Sequence, residues 1–329
     1  MKKLSDLGER KAIKIIESII SQGEIPVGIG DDCAALELND DYLLVTTDMI
    51  AEKTHISNSM KPWQIGWYIV AINLSDIAAK GGKPLGLVLS LGLPSKTSES
   101  FLKDLIKGAD DCASFYNTFI VGGDTKENSE ITLCGTAFGV VEKSCFMSRM
   151  GAKHGDVVAV TGSLGKAAAG YLSLENDMDD EHILKNLFEP KPRIFEGVAL
   201  SKEKIVSSCM DISDGLSSSL YQIKNLNKIG FKIYKGKIPL SQNLKEISEK
   251  IKDINVDDYF LHFGRDYELL ITLSKQNFIN AQICLETIGC NLTEIGRVTK
   301  DSSITIIEGD VKEVLPNKGY EHFKNNNVL

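Results

Sequence analysis

Val27 to Ala34 reads V-G-I-G-D-D-C-A. Two glycines followed by two adjacent aspartates, with apolar residues on both sides, bring backbone amides and carboxylates into one tight turn. That combination suits a divalent cation bound beside phosphate oxygens. Taken alone, Gly-Asp-Asp is also ordinary turn chemistry, with an aspartate capping a helix or facing water. The functional reading gains weight because short Asp-bearing motifs after apolar runs recur along the chain.

The chain of 329 residues is long enough for two α/β domains, at roughly 150 residues each. With 43% hydrophobic and 25% charged residues it has the composition of an ordinary globular protein. A net charge of -8 gives no basic footprint for nucleic acid or an anionic membrane, so the expected partner is a small molecule. No apolar run approaches the roughly 20 residues of a membrane span. Met1 to Gly8 is charged rather than signal-like, and a cytoplasmic location is expected. The 7 cysteines are odd in number and none are spaced as a zinc pair, and the 5 histidines show no metal spacing; reduced, mostly buried thiols are expected.

Ser5 to Gln22 carries Ala12, Ile13, Ile15, Ile16, Ile19 and Ile20 at helical spacing, which predicts one packing helix stopped by Gly23. Tyr42 to Thr47 predicts a short strand ending in Thr46, Thr47 and Asp48, with His55 close behind as a group to position a substrate or serve structurally. A helix is predicted from Pro62 towards Lys80; Asn73, Ser75 and Asp76 interrupt its apolar surface. Strand Pro84 to Leu91 and helix Ser98 to Tyr116 follow. An apolar strand, Thr118 to Val121, then runs into Gly122-Gly123-Asp124-Thr125, where backbone can approach phosphate and a carboxylate can meet its metal.

After a strand at Ile131 to Val141, the register changes near Ser148 to Ala152, which divides the chain into domains 1–145 and 146–329. Arg149 is the natural cationic partner for a phosphate, or a surface arginine. Strand Val157 to Thr161 leads to Gly162-Ser163-Leu164-Gly165-Lys166-Ala167, which has neither the spacing nor the hydroxyl residue of a Walker loop. Asp211-Ile212-Ser213-Asp214-Gly215 precedes a helix through Ile223; it offers two carboxylates and helix-start amides for phosphate, or merely an N-cap. The segments Tyr267 to Leu273, Asn277 to Ile288 and Thr293 to Val298 read as scaffold, and Lys324 to Leu329 as a frayed tail.

Convergence of Asp31-Asp32, Asp48, Asp76, Asp124, Asp211 and Asp214 in a partly dry cleft would require cations to offset their repulsion. Oxygen-only ligands point to magnesium, whose usual companion is nucleotide phosphate, and hence to phosphoryl transfer.

These motifs resemble the thiamine-monophosphate kinases of the AIR-synthase-like superfamily. The similarity is carried by G-I-G-D-D-C-A at Gly28 to Ala34, T-T-D at Thr46 to Asp48 with His55, and N-L-S-D-I-A-A at Asn73 to Ala79. It continues through G-G-D-T at Gly122 to Thr125, S-R-x-G-A-K-x-G-D at Ser148 to Asp156, D-I-S-D-G-L at Asp211 to Leu216, D-Y-E-L at Asp266 to Leu269 and K-G-Y-E-H-F at Lys318 to Phe323. The resemblance implies a two-domain α/β (α+β) fold whose N-terminal sheet forms a barrel with the dimer mate's, and ATP-dependent phosphorylation of thiamine monophosphate in the cleft between domains. It implies magnesium ligands at Asp32, Thr46, Thr47, Asp48, Asp76, Asp124, Asp211 and Asp214. ATP contacts are implied at Gly123, Asp124, Arg149 and Ser213, and a substrate contact at His55. Asp76, Asp124 and Arg149 would carry the catalysis. The sequence departs from the family pattern at two substrate positions: Arg265 replaces a Glu, and Asn317 an aromatic residue. Both run against a cationic ring, so a superfamily enzyme with another small anionic acceptor, or a nucleotide sensor without turnover, are the alternatives.

Overall fold

The computed structural model describes residues 2–21, 23–178 and 180–324. The first half contains α1 (Leu4–Leu7), α2 (Glu9–Ile19), β1 (Ala34–Leu38), β2 (Asp41–Ala51), α3 (Glu52–His55), α4 (Pro62–Ala79), β3 (Lys83–Leu93), α5 (Glu99–Phe115), β4 (Ile120–Glu127) and β5 (Thr132–Glu142). Its strands form one sheet in the order β1-β2-β5-β3-β4; only β3 and β4 run parallel. The inner face packs on α4, which packs in turn on α5. The outer face is left open and carries Leu38, Met49, Leu85 and Val121 exposed to solvent.

The second half contains β6 (Val157–Thr161), α6 (Lys166–Glu175), α7 (Glu181–Phe188), α8 (Ile194–Glu203), β7 (Val206–Asp211), α9 (Leu216–Asn227), β8 (Gly230–Tyr234), α10 (Gln242–Lys250), α11 (Val256–His262), β9 (Leu269–Leu273), α12 (Phe278–Glu286), β10 (Leu292–Thr299), β11 (Ile304–Glu308) and β12 (Val311–Val314). Its strands form a second sheet in the order β12-β11-β8-β10-β6-β9-β7. The chain is thus a mixed α/β protein of two sheets, each with its helices. Among the described residues no helix is long and apolar enough to cross a membrane.

Helix α4 joins the halves. Pro62 opens it, and 15 of its 18 residues are buried, because it meets α5 and the first sheet on one side and α8 and β7 on the other. A helix apolar all round is a buried helix. Its fit against α8 depends on Gly197: a methyl group there would stand 2.1 Å from the Ala78 carbonyl oxygen. One core cluster therefore runs without a break from Leu44 and Ile69 to Val157 and Leu269.

Three expectations change. The N-terminal helix is broken at Gly8, whose φ is +76°, and it does not pack: no residue of α2 is buried, and Ile13, Ile15, Ile16 and Ile19 are exposed. Strand β2 runs four residues past Thr47, to Ala51, so Thr46 to Asp48 lie inside a strand rather than at its end. Gly122 to Thr125 likewise belong to β4 and make no loop. Gln22 and residues 325–329, the expected helix end and most of the expected tail, lie outside the described residues.

Gly197→Ala is expected to destabilise the protein by about 1–3 kcal/mol through overpacking at the α4–α8 contact. Urea unfolding at wild-type stability would contradict the close packing of the two halves.

Candidate active site

A cleft of about 1460 Å³ opens between the two halves, above the roughly 300–1,000 Å³ of a site for one drug-sized ligand. Its wall includes Asp32 from the turn before β1, Thr46 to Asp48 from β2, His55 from α3 and Asp76 from α4. The linker between the sheets adds Arg149, the β7–α9 connection Asp211, Ser213 and Asp214, the loop before β9 Arg265, and the segment after β12 Asn317.

Carboxylate oxygens of Asp32, Asp76 and Asp211 all lie within 4.8 Å of one another. Thr46 Oγ1 donates to Asp76 Oδ2 at 2.5 Å, and Ser75 Oγ to Asp211 Oδ2 at 2.6 Å. Asn73 accepts from the Asp48 backbone N–H at 3.1 Å and donates to the Ile69 carbonyl at 2.8 Å, which ties β2 to α4. Burial, then Asp48, Asp211 and Asp32, push the Asp76 carboxyl well above its usual range. Burial and then Asp32 raise Asp211 to about 7. Burial and then Glu9 raise Asp48 and Asp214 to about 6. Asp76 and Asp211 need a counter-charge to ionise fully together at neutral pH.

Asp32 differs from its neighbours. Burial would raise its carboxyl, but Arg149 and Lys80 outweigh burial and hold it below its usual range. Arg149 grips Oδ1 through Nε at 2.9 Å and through Nη2. Oδ2 is buried and pairs with Lys80 Nζ at 2.7 Å, and the same ammonium donates to Asp31 Oδ1 and the Cys209 carbonyl. Three carboxylates with oxygens this close together fit a hard cation with oxygen ligands. Asp31 is a clasp: it accepts from Lys80 Nζ, Ser148 Oγ and the Arg149 N–H. Lys80 escaped the sequence reading, although a lysine closing an apolar helix was a visible anomaly.

Gly123 and Asp124 are not brought to the cleft wall. Alternation along the strands points Asp48 inward and Asp124, in register with exposed Ser90, outward. Asp124 is exposed and paired with Lys126 at 3.0 Å. Gly123 is required by its sheet, because an added Cβ would stand 1.8 Å from the Leu89 carbonyl oxygen. Thr47 also belongs to the outward row and donates to the Gly135 carbonyl. The residue flanking α9 is Gly215 rather than Ser213 or Asp214. At α6, the start that imitates a phosphate loop is filled internally: Asp266 accepts from the Gly165 and Ala167 N–H groups at 2.7 and 3.2 Å.

The other end of the cleft is ringed. His55 lies 5.2 Å from His322, which meets Tyr320 edge-on at 4.8 Å; His322 was not foreseen. Burial, then Arg265 and His322, lower His55 to about 3, so it is uncharged at neutral pH. Arg265 lies over the Tyr68 ring at 5.6 Å and 3.4 Å from the Thr54 carbonyl. Asn317 accepts from Arg10 at 3.3 Å, and Arg10 also donates to Ser218. The α2 start therefore straps the segment after β12.

These two joined α/β units are those of an AIR synthase related protein. Residues 30–141 match the AIR synthase related protein, N-terminal domain, and residues 153–308 its C-terminal domain. The chain is 38% identical to a thiamine-monophosphate kinase of Methanospirillum hungatei over 293 residues, 89% of this chain and 92% of that one. It is 32% identical to the thiamine-monophosphate kinase of Escherichia coli over 311 residues, 92% and 94% of the two chains. A solved structure, AaThiL complexed with AMPPCP and TMP, superposes with a TM-score of 0.87 at 31% identity, covering 98% of this chain and 99% of that one. The chain belongs to the thiamine-monophosphate kinase family of AIR synthase related proteins, a family of phosphotransferases.

Asp48, Asp211 and Asp214 titrate above an unfolded aspartate, near 4. Folding therefore takes up protons between these values, and the stability so gained is full at low pH and lost as pH rises through about 6 to 7. Asp32 is ionised across this window and adds no slope. In a chelator, Tm is expected to fall between about pH 5 and 8; a rise over that range would contradict the clustering of raised carboxyls.

Proposed function

We propose that the chain transfers the γ-phosphoryl group of ATP in line to the phosphate of thiamine monophosphate, yielding ADP and thiamine diphosphate, with several Mg²⁺ ions as cofactor. The observation that carries this reading is the convergence of Asp32, Asp76 and Asp211 in a cleft with room for two ligands. Relatives named for this activity, and a neighbour holding AMPPCP and TMP, support the choice of substrates.

Bound among these carboxylates, Mg²⁺ would offset the charge of the phosphates and of the transferring group. Asp32, Asp76 and Asp211 would supply the first oxygens, with Asp48, Asp214 and Thr46 beside them. Arg149, already aimed by Asp32 and by Gln222 at 2.9 Å, contacts nucleotide phosphate, as does the Ser213 loop. The attacking atom is an oxygen of the acceptor phosphate, so no side chain acts as nucleophile. Uncharged His55 does not repel a thiazolium cation, and His322, Tyr320 and Tyr68 offer ring faces where Asn317 offers none.

The unit is proposed to be a homodimer in which the open faces of two N-terminal sheets meet, covering Met49, Leu85 and Val121. Asp124, on that face, would act only in that setting. The domain division stays at 145/146. The described cysteines carry free thiols, in accord with a cytoplasmic location. A second reading, another anionic acceptor, is favoured by Arg265, which has no ion pair among the described residues and lines the cleft.

Incubation with ATP, Mg²⁺ and thiamine monophosphate is expected to give thiamine diphosphate; absence of product at high enzyme would sink the assignment of acceptor. Asp76→Asn is expected to lower turnover by about a hundredfold or more, and near-normal activity would remove Asp76 from the cage. Arg265→Glu separates the two readings: improved use of thiamine monophosphate would indicate an acceptor end adapted to another anion.

A further inference from the structure

The oxygens around Lys80 form an unusual set for a side-chain ammonium. Its Nζ stands 2.5 Å from Asp31 Oδ1, 2.7 Å from Asp32 Oδ2 and 3.0 Å from the Cys209 carbonyl oxygen. The lysine is wholly buried. Two adjacent carboxylates and a backbone carbonyl are the donor chemistry of a hard divalent cation, here filled by a charge tethered to the end of α4. Two parts of the chain supply the cage, the Gly-Asp-Asp turn and β7 in the second sheet, and the end of α4 supplies the ammonium.

Asp32 belongs to both cation positions. Its Oδ2 faces Lys80, while the carboxylate as a whole is grouped with Asp76 and Asp211. The ammonium therefore pairs with a carboxylate that the proposed metal position shares. A buried carboxylate pair without a counter-ion is strongly unfavourable, so whatever fills the Lys80 cage also sets the charge that the neighbouring metal position feels.

We propose that Lys80 is a built-in cation that takes one of the cleft's cation positions, so that the chain needs one divalent ion fewer than its oxygen cages could hold. This rests on the metal reading above. Removing the ammonium opens a cage that Mg²⁺ can enter. A methionine in its place keeps most of the apolar stem and leaves room at the tip.

The test is titration calorimetry with Mg²⁺ alone, without nucleotide or acceptor, on wild type and Lys80→Met, with thermal unfolding in parallel. The variant is expected to bind one Mg²⁺ more than wild type. Mg²⁺ should raise its Tm by roughly 5 °C or more beyond the wild-type shift, as expected for a ligand at many times its Kd. Lys80→Arg, which keeps the charge, should bind as many ions as wild type. An equal count in wild type and Lys80→Met overturns the inference, as does a Lys80→Met protein that stays unfolded in excess Mg²⁺, since the ion then cannot replace the ammonium. Mg²⁺ binding by the variant but not by wild type would uphold the inference and defeat the metal reading.

Discussion

Three aspartates with oxygens within 4.8 Å are the constraint that the rest of the molecule answers. Like charges in a poorly solvated place repel, and the group nearest its neighbours is driven to hold its proton. The chain meets this with two cations, the wholly buried Lys80 and Arg149 at the cleft wall. Arg149 and Lys80 take opposite oxygens of Asp32, keeping it ionised while Asp76 and Asp211 are pushed up. The acidic wall is thus graded: Asp32 is held ionised by its two cations, while Asp76 and Asp211 hold their protons to higher pH.

The fold supplies the rigidity that such crowding needs. Asp76 lies on a helix buried over nearly its whole surface, Asp211 ends a strand of the second sheet, and Asp32 is fixed by its neighbour's clasp on the interdomain linker. Each carboxylate comes from a different element, so the cluster and the junction of the two halves are one structure. A methyl at Gly197 and a lost ammonium at Lys80 would both disturb the seam at the C-terminal end of α4.

Much of this was readable from the residues. Val157 to Thr161 is a strand as expected, and the helix opened by Pro62 ends within a residue of its expected stop. The Asp-bearing motifs after apolar runs do face one cleft, with the exception of Asp124. That exception is instructive: a motif shows which residues are near in sequence, whereas the face of a strand depends on its register, and here Asp124 falls in the outward row. The isoleucines of α2 show the same limit, since periodicity identifies an apolar face but not what covers it. Lys80 and His322 acquire their significance only from partners far away in the chain. Even so, the N-terminal family match and the AaThiL superposition fit the two-domain reading made from motifs.

The central claim is that Asp32, Asp76 and Asp211 hold a divalent cation at the phosphates of a bound nucleotide. Anomalous diffraction from crystals grown with Mn²⁺ and a non-hydrolysable ATP analogue tests it most directly. Manganese is expected between the nucleotide phosphates and these three carboxylates. Manganese bound only elsewhere, with the three aspartates free of metal while the nucleotide occupies the cleft, would contradict it.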